Sequence, residues 1–241
     1  MTKPIGPMFP YFGCKWRSAR FYPSPLHPII VEMFAGAAGY SLNHAEREVR
    51  LYDLGKHVAS TWQYLLAEGS ADRLRELPSL VRSVDKVPEE ARSLVGYWLN
   101  PGSAVPKRSM SSRSNPDSQV YFAGSVWSRK TKDRLMSQVP KISHWKFQQH
   151  DWRETAESIF RGGSLSATVF VDPPYQKEGK GYPGPSWKDE DYEELAEACR
   201  VLKEKGHQVI VCERLGASWL PFEILHRYHG SKTDGVEMIW T

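Results

Sequence analysis

Residues 29–68 read as strand, helix, strand, helix, and this alternation restricts the chain to an α/β fold on a parallel sheet with helices on its faces. Ile29-Ile30-Val31 is a short apolar strand that runs into Phe34-Ala35-Gly36. Residues 40–48 suit a helix, 49–53 a second strand and 57–68 a second helix. Leucines and valines at near-helical spacing predict helix through 70–99. Regularity is then lost over 100–146, where residues 100–118 have the Ser/Asn/Pro/Gly content of an exposed loop. Beyond it, 145–150 reads as a strand and 152–161 as a helix. Residues 168–172 form a strongly apolar, buried strand, 189–205 an amphipathic helix and 208–212 another strand. Segments 222–228 and 236–240 can pair as a closing antiparallel hairpin. The expected organisation is one domain from residues 1–68 and 146–241, with 69–145 inserted as a subdomain between the second and third strands.

Charge distribution singles out the insert. Between Arg92 and Lys146 lie ten Lys/Arg residues against Asp117 and Asp133, which gives +8. The whole chain carries +4, so the remainder carries −4. A basic segment in an otherwise acidic protein suggests a polyanion-binding surface, and a solvated basic loop is the plainer reading. Nothing is long and apolar enough to span a bilayer, and the opening residues lack the apolar block of a signal peptide; a soluble, cytoplasmic protein without membrane contact is expected. Cys14, Cys199 and Cys212 are odd in number and widely spaced, so they fit neither a disulfide framework nor a zinc clamp. The eight histidines show no metal-ligand spacing, and no metal is expected. Trp62, Trp98 and Trp219 sit in apolar surroundings and read as core. Trp127 and Trp145 lie in the basic insert, where core packing competes with stacking on nucleic acid.

Two motifs bear on chemistry. The first is Val31-Glu32-Met33-Phe34-Ala35-Gly36-Ala37-Ala38-Gly39, a strand, glycine turn and helix start at which a ligand can approach backbone atoms. It does not match the dinucleotide pattern G-x-G-x-x-G, which weakens an oxidoreductase reading. Asp53 ends the next strand, where a carboxylate can accept from ribose hydroxyls; a tight turn with a solvated Asp is the alternative.

The second is Asp172-Pro173-Pro174-Tyr175, directly after the apolar strand. Two prolines end the ladder and stiffen the turn, which a plain strand-ending turn would also use. The stiffness also has a chemical use. The exocyclic amine of adenine is a poor nucleophile because its lone pair is delocalised into the ring. The Asp172 carboxylate and the Pro173 carbonyl can each accept one N–H, favouring a tetrahedral nitrogen with a localised lone pair. Tyr175 offers a face on which an extruded base can stack.

In order, Tyr11-Phe12-Gly13-Cys14-Lys15, the glycine turn, Asp53, the basic insert and Asp172-Pro173-Pro174-Tyr175 resemble the Dam-type family of DNA adenine-N6 methyltransferases over nearly the whole chain. The resemblance implies a Rossmann-like S-adenosylmethionine-dependent methyltransferase fold, S-adenosyl-L-methionine as cofactor and double-stranded DNA as partner. It leaves room for a separate restriction endonuclease as a further partner. It implies catalysis by Asp172, Pro173, Pro174 and Tyr175. It implies cofactor contacts from Tyr11, Gly13, Lys15, Glu32, Phe34, Gly36, Gly39, Asp53 and Asp151. Arg113 and Asn115, followed by Phe122 and Gly124, look like the family's target-recognition pattern. With Arg129, Lys130, Lys132 and Arg134 they are the expected DNA contacts. Val236-Glu237-Met238-Ile239-Trp240 looks like the family's terminal strand. Cys14 stands where Gly or a polar residue is usual, and Cys212-Glu213 where the family often has Ser-Asn. An RNA adenine methyltransferase and a non-catalytic DNA-binding relative remain open on this sequence.

Overall fold

The computed structural model describes residues 4–110, 126–161, 165–177, 186–229 and 234–241. Its centre is a seven-stranded sheet: β1 (Ile29–Glu32), β2 (Glu48–Tyr52), β3 (Lys146–Gln148), β4 (Ala167–Val171), β5 (Gln208–Arg214), β6 (Glu223–His229) and β7 (Asp234–Trp240). The spatial order is β3-β2-β1-β4-β5-β7-β6. The first five strands run parallel, and β7 is antiparallel to both β5 and β6. This is the mostly parallel, Rossmann-like α/β sheet expected, including the closing antiparallel hairpin. β1 and β4 are buried along their whole length, and Ile30 packs on one face of the sheet while Ile29 and Val31 pack on the other.

The helices are α1 (Lys56–Leu66), α2 (Ser70–Glu76), α3 (Arg92–Leu99), α4 (Arg129–Gln138), α5 (Trp152–Arg161) and α6 (Asp189–Glu204). Three departures from the sequence expectation have local causes. Residues 40–48 form only a 3-10 turn, Ser41–His44. Tyr40 is fully buried and stacked on Phe170 at 4.4 Å, and the Asn43 amide donates to the carbonyls of Gly39 and Trp16, which fastens the segment to the N-terminal loop. The helix expected through 70–99 is split, with Pro78 and Pro88 in the break, since proline disfavours the helical conformation in the residue before it. Within the irregular stretch, α4 is a regular helix whose N-cap Ser128 accepts from Thr131 N at 3.2 Å.

α4 packs on α2. Leu74, Leu94, Trp98, Trp127 and Leu135 belong to the same apolar cluster as Ile30, Leu51 and Trp62, so the insert continues the core on one face of the sheet. Trp127 and Trp145 are buried, their indole N–H groups donating to the carbonyls of Pro78 and Ala45; for both, core packing holds over exposure to a ligand. Cys199 and Cys212 are buried free thiols. Among the described residues no helix is long and apolar enough to cross a membrane.

Candidate active site

The chain passes outward from β1 to β2 and β3, then returns to the other side of β1 as β4. Open α/β sheets bind ligands at such a reversal, outside the carboxyl ends of the strands. Here the residues following β1 and β4 line one cavity of about 1110 Å³. Within its lining are Tyr11, Gly13, Lys15, Glu32, Phe34, Gly36, Gly39, Asp53, Asp151, Asp172, Pro174 and Tyr175, so the structure brings together twelve of the thirteen expected cofactor and catalytic residues. Pro173 is buried behind Asp172 and is not part of the lining.

The glycine turn is held from several sides. Trp62 Nε1 donates to the Gly36 carbonyl at 2.8 Å from beneath. Asp53 accepts from Gly36 N with one oxygen and from Gly55 N with the other, at 2.9 and 2.8 Å. Burial raises the Asp53 pKa despite these two bonds. Glu32 accepts from Ser41 N at 2.8 Å, and burial pushes its pKa up to about 8. Asp53 and Glu32 are thus first of all turn-fixing residues, with lone pairs left for a ligand. Gly36 has φ +45°, and a Cβ there would stand 3.0 Å from the Tyr11 ring. At Gly39 a Cβ would stand 2.5 Å from Trp16 N and 2.7 Å from Lys15 N. The bare face of Gly39 is therefore filled by the protein's own N-terminal loop, a role the expectation of cofactor contact did not contain.

Lys15, which lines the cavity, also makes a contact that the expectation did not contain. Its Nζ donates to both carboxylate oxygens of Asp172, at 2.7 and 2.8 Å, and to the Gly13 carbonyl at 3.1 Å. Gly13, at φ +80°, makes the bend that returns its own carbonyl to Lys15. The ammonium lies 4.9 Å from the centre of the Tyr175 ring. Burial pushes the Asp172 pKa up to about 6, against the opposing pull of Lys15. The Lys15 pKa is raised by the carboxylates around it, which outweigh the cost of its burial. A carboxylate this deep is held ionised at neutral pH by its charge partner.

The turn that carries Asp172 is braced by residues that sequence reasoning did not select. Tyr192 donates to the Pro174 carbonyl at 2.8 Å. Glu213, fully buried, accepts from Gln176 N and from Trp219 Nε1, at 2.8 and 3.1 Å. The Tyr175 hydroxyl donates to Glu237 at 3.0 Å, and the Tyr22 hydroxyl donates to the same oxygen. An acid in the otherwise apolar run Val236–Trp240 was the available signal for Glu237; nothing local marks Tyr22.

At the other end of the cavity, Asp151 accepts from Arg153 N at 2.9 Å and lies 3.7 Å from its guanidinium. Beside it, His150 Nδ1 and Trp152 Nε1 are buried polar atoms without a partner among the described residues. Phe34 and Trp187 face each other across 5.6 Å at the cavity wall.

The residues expected on DNA divide. Arg113 and Asn115, with Phe122 and Gly124, lie outside the described residues. Arg129 and Lys130 are exposed on α4, Arg129 within 3.7 Å of Asp133. Lys132 is buried, and its ammonium donates to the carbonyls of Arg75 and Leu77 at 3.0 and 2.8 Å, closing the carboxyl end of α2. Arg134 is half-buried, hydrogen-bonded to Gln138 and set over the Trp98 ring at 5.3 Å. Lys132 was expected on DNA; here it is a structural cation, because α4 packs its Lys132 and Leu135 side inward, while Arg134, also expected on DNA, keeps part of its surface in solvent.

No family model matches the chain, and no curated protein matches it by sequence. Among solved structures, an rRNA methyltransferase, AviRa from Streptomyces viridochromogenes, is similar in two structures. One is 15% identical with a TM-score of 0.44, covering 97% of this chain and 87% of that one. The other is 14% identical with a TM-score of 0.44, covering 96% and 86%. A conserved hypothetical protein from Streptococcus pyogenes is 10% identical with a TM-score of 0.37, covering 88% of this chain and 84% of that one.

Proposed function

We propose that the protein is an S-adenosylmethionine-dependent DNA methyltransferase that modifies the exocyclic N6 amine of adenine. The observation that carries this reading is the placement of Asp172-Pro173-Pro174-Tyr175 at the carboxyl end of β4, in one cavity with the glycine turn, Asp53 and Asp151. The cavity volume lies just above the usual range of about 300–1,000 Å³ for small-molecule sites, which suits a cofactor together with a nucleoside.

The residues present fit the cofactor. Two buried polar atoms without partners, His150 Nδ1 and Trp152 Nε1, lie at the Asp151 end and suit the polar edge of an adenine. Asp53 would hold the ribose hydroxyls, and Tyr11 with the Gly13 bend would flank the methionine end. When bound, S-adenosylmethionine supplies an electrophilic methyl group on sulfonium. The chain's own residues do the rest. Tyr175 supports the flipped base, and Asp172 accepts an N–H of its amine through lone pairs that Lys15 does not occupy. Lys15 keeps that carboxylate charged. No covalent enzyme intermediate is needed, so the site works by position and fixed charge.

The test supplies labelled S-adenosylmethionine with matched DNA and RNA duplexes and analyses the digested product as nucleosides. N6-methyladenine from DNA is the expected result. Methyladenine from RNA alone would move the substrate to RNA, and methylcytosine would move the target base. In parallel, saturating S-adenosylhomocysteine should raise the melting temperature, because a ligand that binds only the native state stabilises it by mass action; at 100 times Kd the gain is about 2.7 kcal/mol. No shift and no heat of binding by calorimetry would sink the cofactor assignment.

On DNA affinity, Arg129→Ala with Lys130→Ala should weaken binding to every sequence and lower the salt slope by about one for each phosphate no longer neutralised. Lys132→Met should act differently. It strips two carbonyls of their donor, so stability should fall by about 1–3 kcal/mol with the salt slope unchanged. An unchanged slope in the Arg129/Lys130 double variant would remove α4 from the DNA-binding surface.

A further inference from the structure

Glu237 is a buried acid that methyl transfer as proposed does not call on. It sits on β7, the antiparallel strand that closes the sheet, facing the turn that carries Asp172. One of its oxygens accepts from both Tyr175 and Tyr22 and lies 3.9 Å from Lys15 Nζ. We propose that Glu237 is a positioning residue for methyl transfer: it fixes the ring of Tyr175 by its hydroxyl and holds the Lys15 ammonium between itself and Asp172. The inference rests on the reading of Asp172 as the acceptor of the target amine.

The geometry favours this over simple filling of space. An inward-facing position on a closing strand is most cheaply occupied by an apolar side chain, since a buried carboxylate must be compensated by hydrogen bonds and charge. Among the described residues the compensation comes from Lys15 and Tyr175 of the site and from buried Tyr22. Lys15 and Tyr22 reach Glu237 from the N-terminal segment, and Tyr175 from the turn after β4. Asp172, on that same turn, shares Lys15 with it. From β5, Cys212 is buried close by and Arg214 stands opposite Glu237 in register, its guanidinium donating to Tyr228. From β6, His226 is opposite in register and stacked on Phe21 at 3.8 Å. Lys15 is therefore set between two carboxylates, and a displacement of Glu237 is transmitted to Asp172 through Lys15 and to the base-facing ring through the Tyr175 hydroxyl.

The experiment compares wild type with Glu237→Gln, Glu237→Asp and Tyr22→Phe. Turnover and KM are measured on the duplex substrate, and cofactor Kd by calorimetry. The ionisation of Asp172 is followed by NMR in protein carrying [γ-13C]aspartate, the resonance being identified by its loss in Asp172→Asn. Glu237→Gln keeps an acceptor for the hydroxyls and removes the charge. Its kcat should fall at least tenfold while cofactor Kd stays within threefold. The Asp172 resonance should titrate at lower pH, because a neighbouring negative charge that disfavours its ionised form is gone. Glu237→Asp should recover the wild-type direction of the titration, and Tyr22→Phe should cost less than Glu237→Gln. Wild-type kcat together with an unmoved Asp172 titration in Glu237→Gln would overturn the proposal. Loss of cofactor binding in step with kcat would also overturn it, as damage to the whole fold. If wild type itself transfers no methyl group, the functional reading fails separately, and the Asp172 titration still decides whether Glu237 acts on that carboxylate.

Discussion

Asp172→Ala is expected to lower methyl transfer by at least ~10²–10³-fold, the scale for removing one preorganised hydrogen-bonding group from a reacting centre. The substitution also strands Lys15. Breaking one partner of a buried ion pair costs about 3–5 kcal/mol, partly offset here by Glu237 at 3.9 Å from the ammonium. A second variant separates chemistry from folding: Asp172→Asn keeps the side-chain volume and an acceptor for Lys15, which stays beside Glu237, so melting temperature should recover relative to Asp172→Ala while turnover stays low. On the proposed mechanism the carboxylate must be ionised to accept the hydrogen bond of the amine, and burial pushes its pKa up to about 6. The sign follows: turnover should be full above that value and fall as pH drops through it. Full activity in Asp172→Ala at pH 7, or an acid limb near the ordinary carboxylate value, would remove this residue from the mechanism.

Gly39→Ala is expected to be strongly destabilising. The added Cβ meets three backbone atoms, Trp16 N at 2.5 Å, Lys15 N at 2.7 Å and Lys15 C at 2.9 Å, and no side chain can swing aside to make room. Overpacking against backbone costs about 3 kcal/mol or more. For a chain of this length that is a fall of about 6–12 °C in melting temperature. Turnover should fall with it, because the atoms displaced belong to Lys15. Gly69→Ala is the control: Gly69 has φ +70° with nothing within 4 Å of a Cβ, so only left-handed strain of about 1–2 kcal/mol applies. Equal stability in the two variants would show that the N-terminal loop does not rest on the glycine turn.

The same glycine shows how far the sequence could be read. Periodicity and apolar runs place each of the seven strands within a few residues, because a buried strand declares itself through its own composition. The residues after β1, β2 and β4 are legible as a site because the ends of neighbouring parallel strands converge on one edge. What Lys15 binds is not legible. Its partner is 157 residues away, and a lysine next to a glycine bend carries no local mark of an ion pair. Lys132 misleads for a related reason: in a basic run every lysine reads as solvated, and only the packing of α4 on α2 distinguishes the one that caps a neighbouring helix. The helix expected over 40–48 yields to tertiary anchoring of Tyr40 and Asn43, which outweighs intrinsic propensity.

The bond from Tyr22 to Glu237 joins positions 215 residues apart, and that from Lys15 to Asp172 spans 157. Contacts of such separation require the largest loops to close, and a loop's closure entropy is spent before the contact returns anything. Strands β1 and β2 and the glycine turn can form from neighbouring sequence. The Lys15–Asp172–Glu237 cluster cannot form until β7 has docked beside β5. In a chain short of Glu237, Lys15 and Tyr175 lack their common anchor. Completion of the Lys15–Asp172–Glu237 cluster is therefore expected late in folding, so the formation of the sheet and the formation of this cluster should be separable observables.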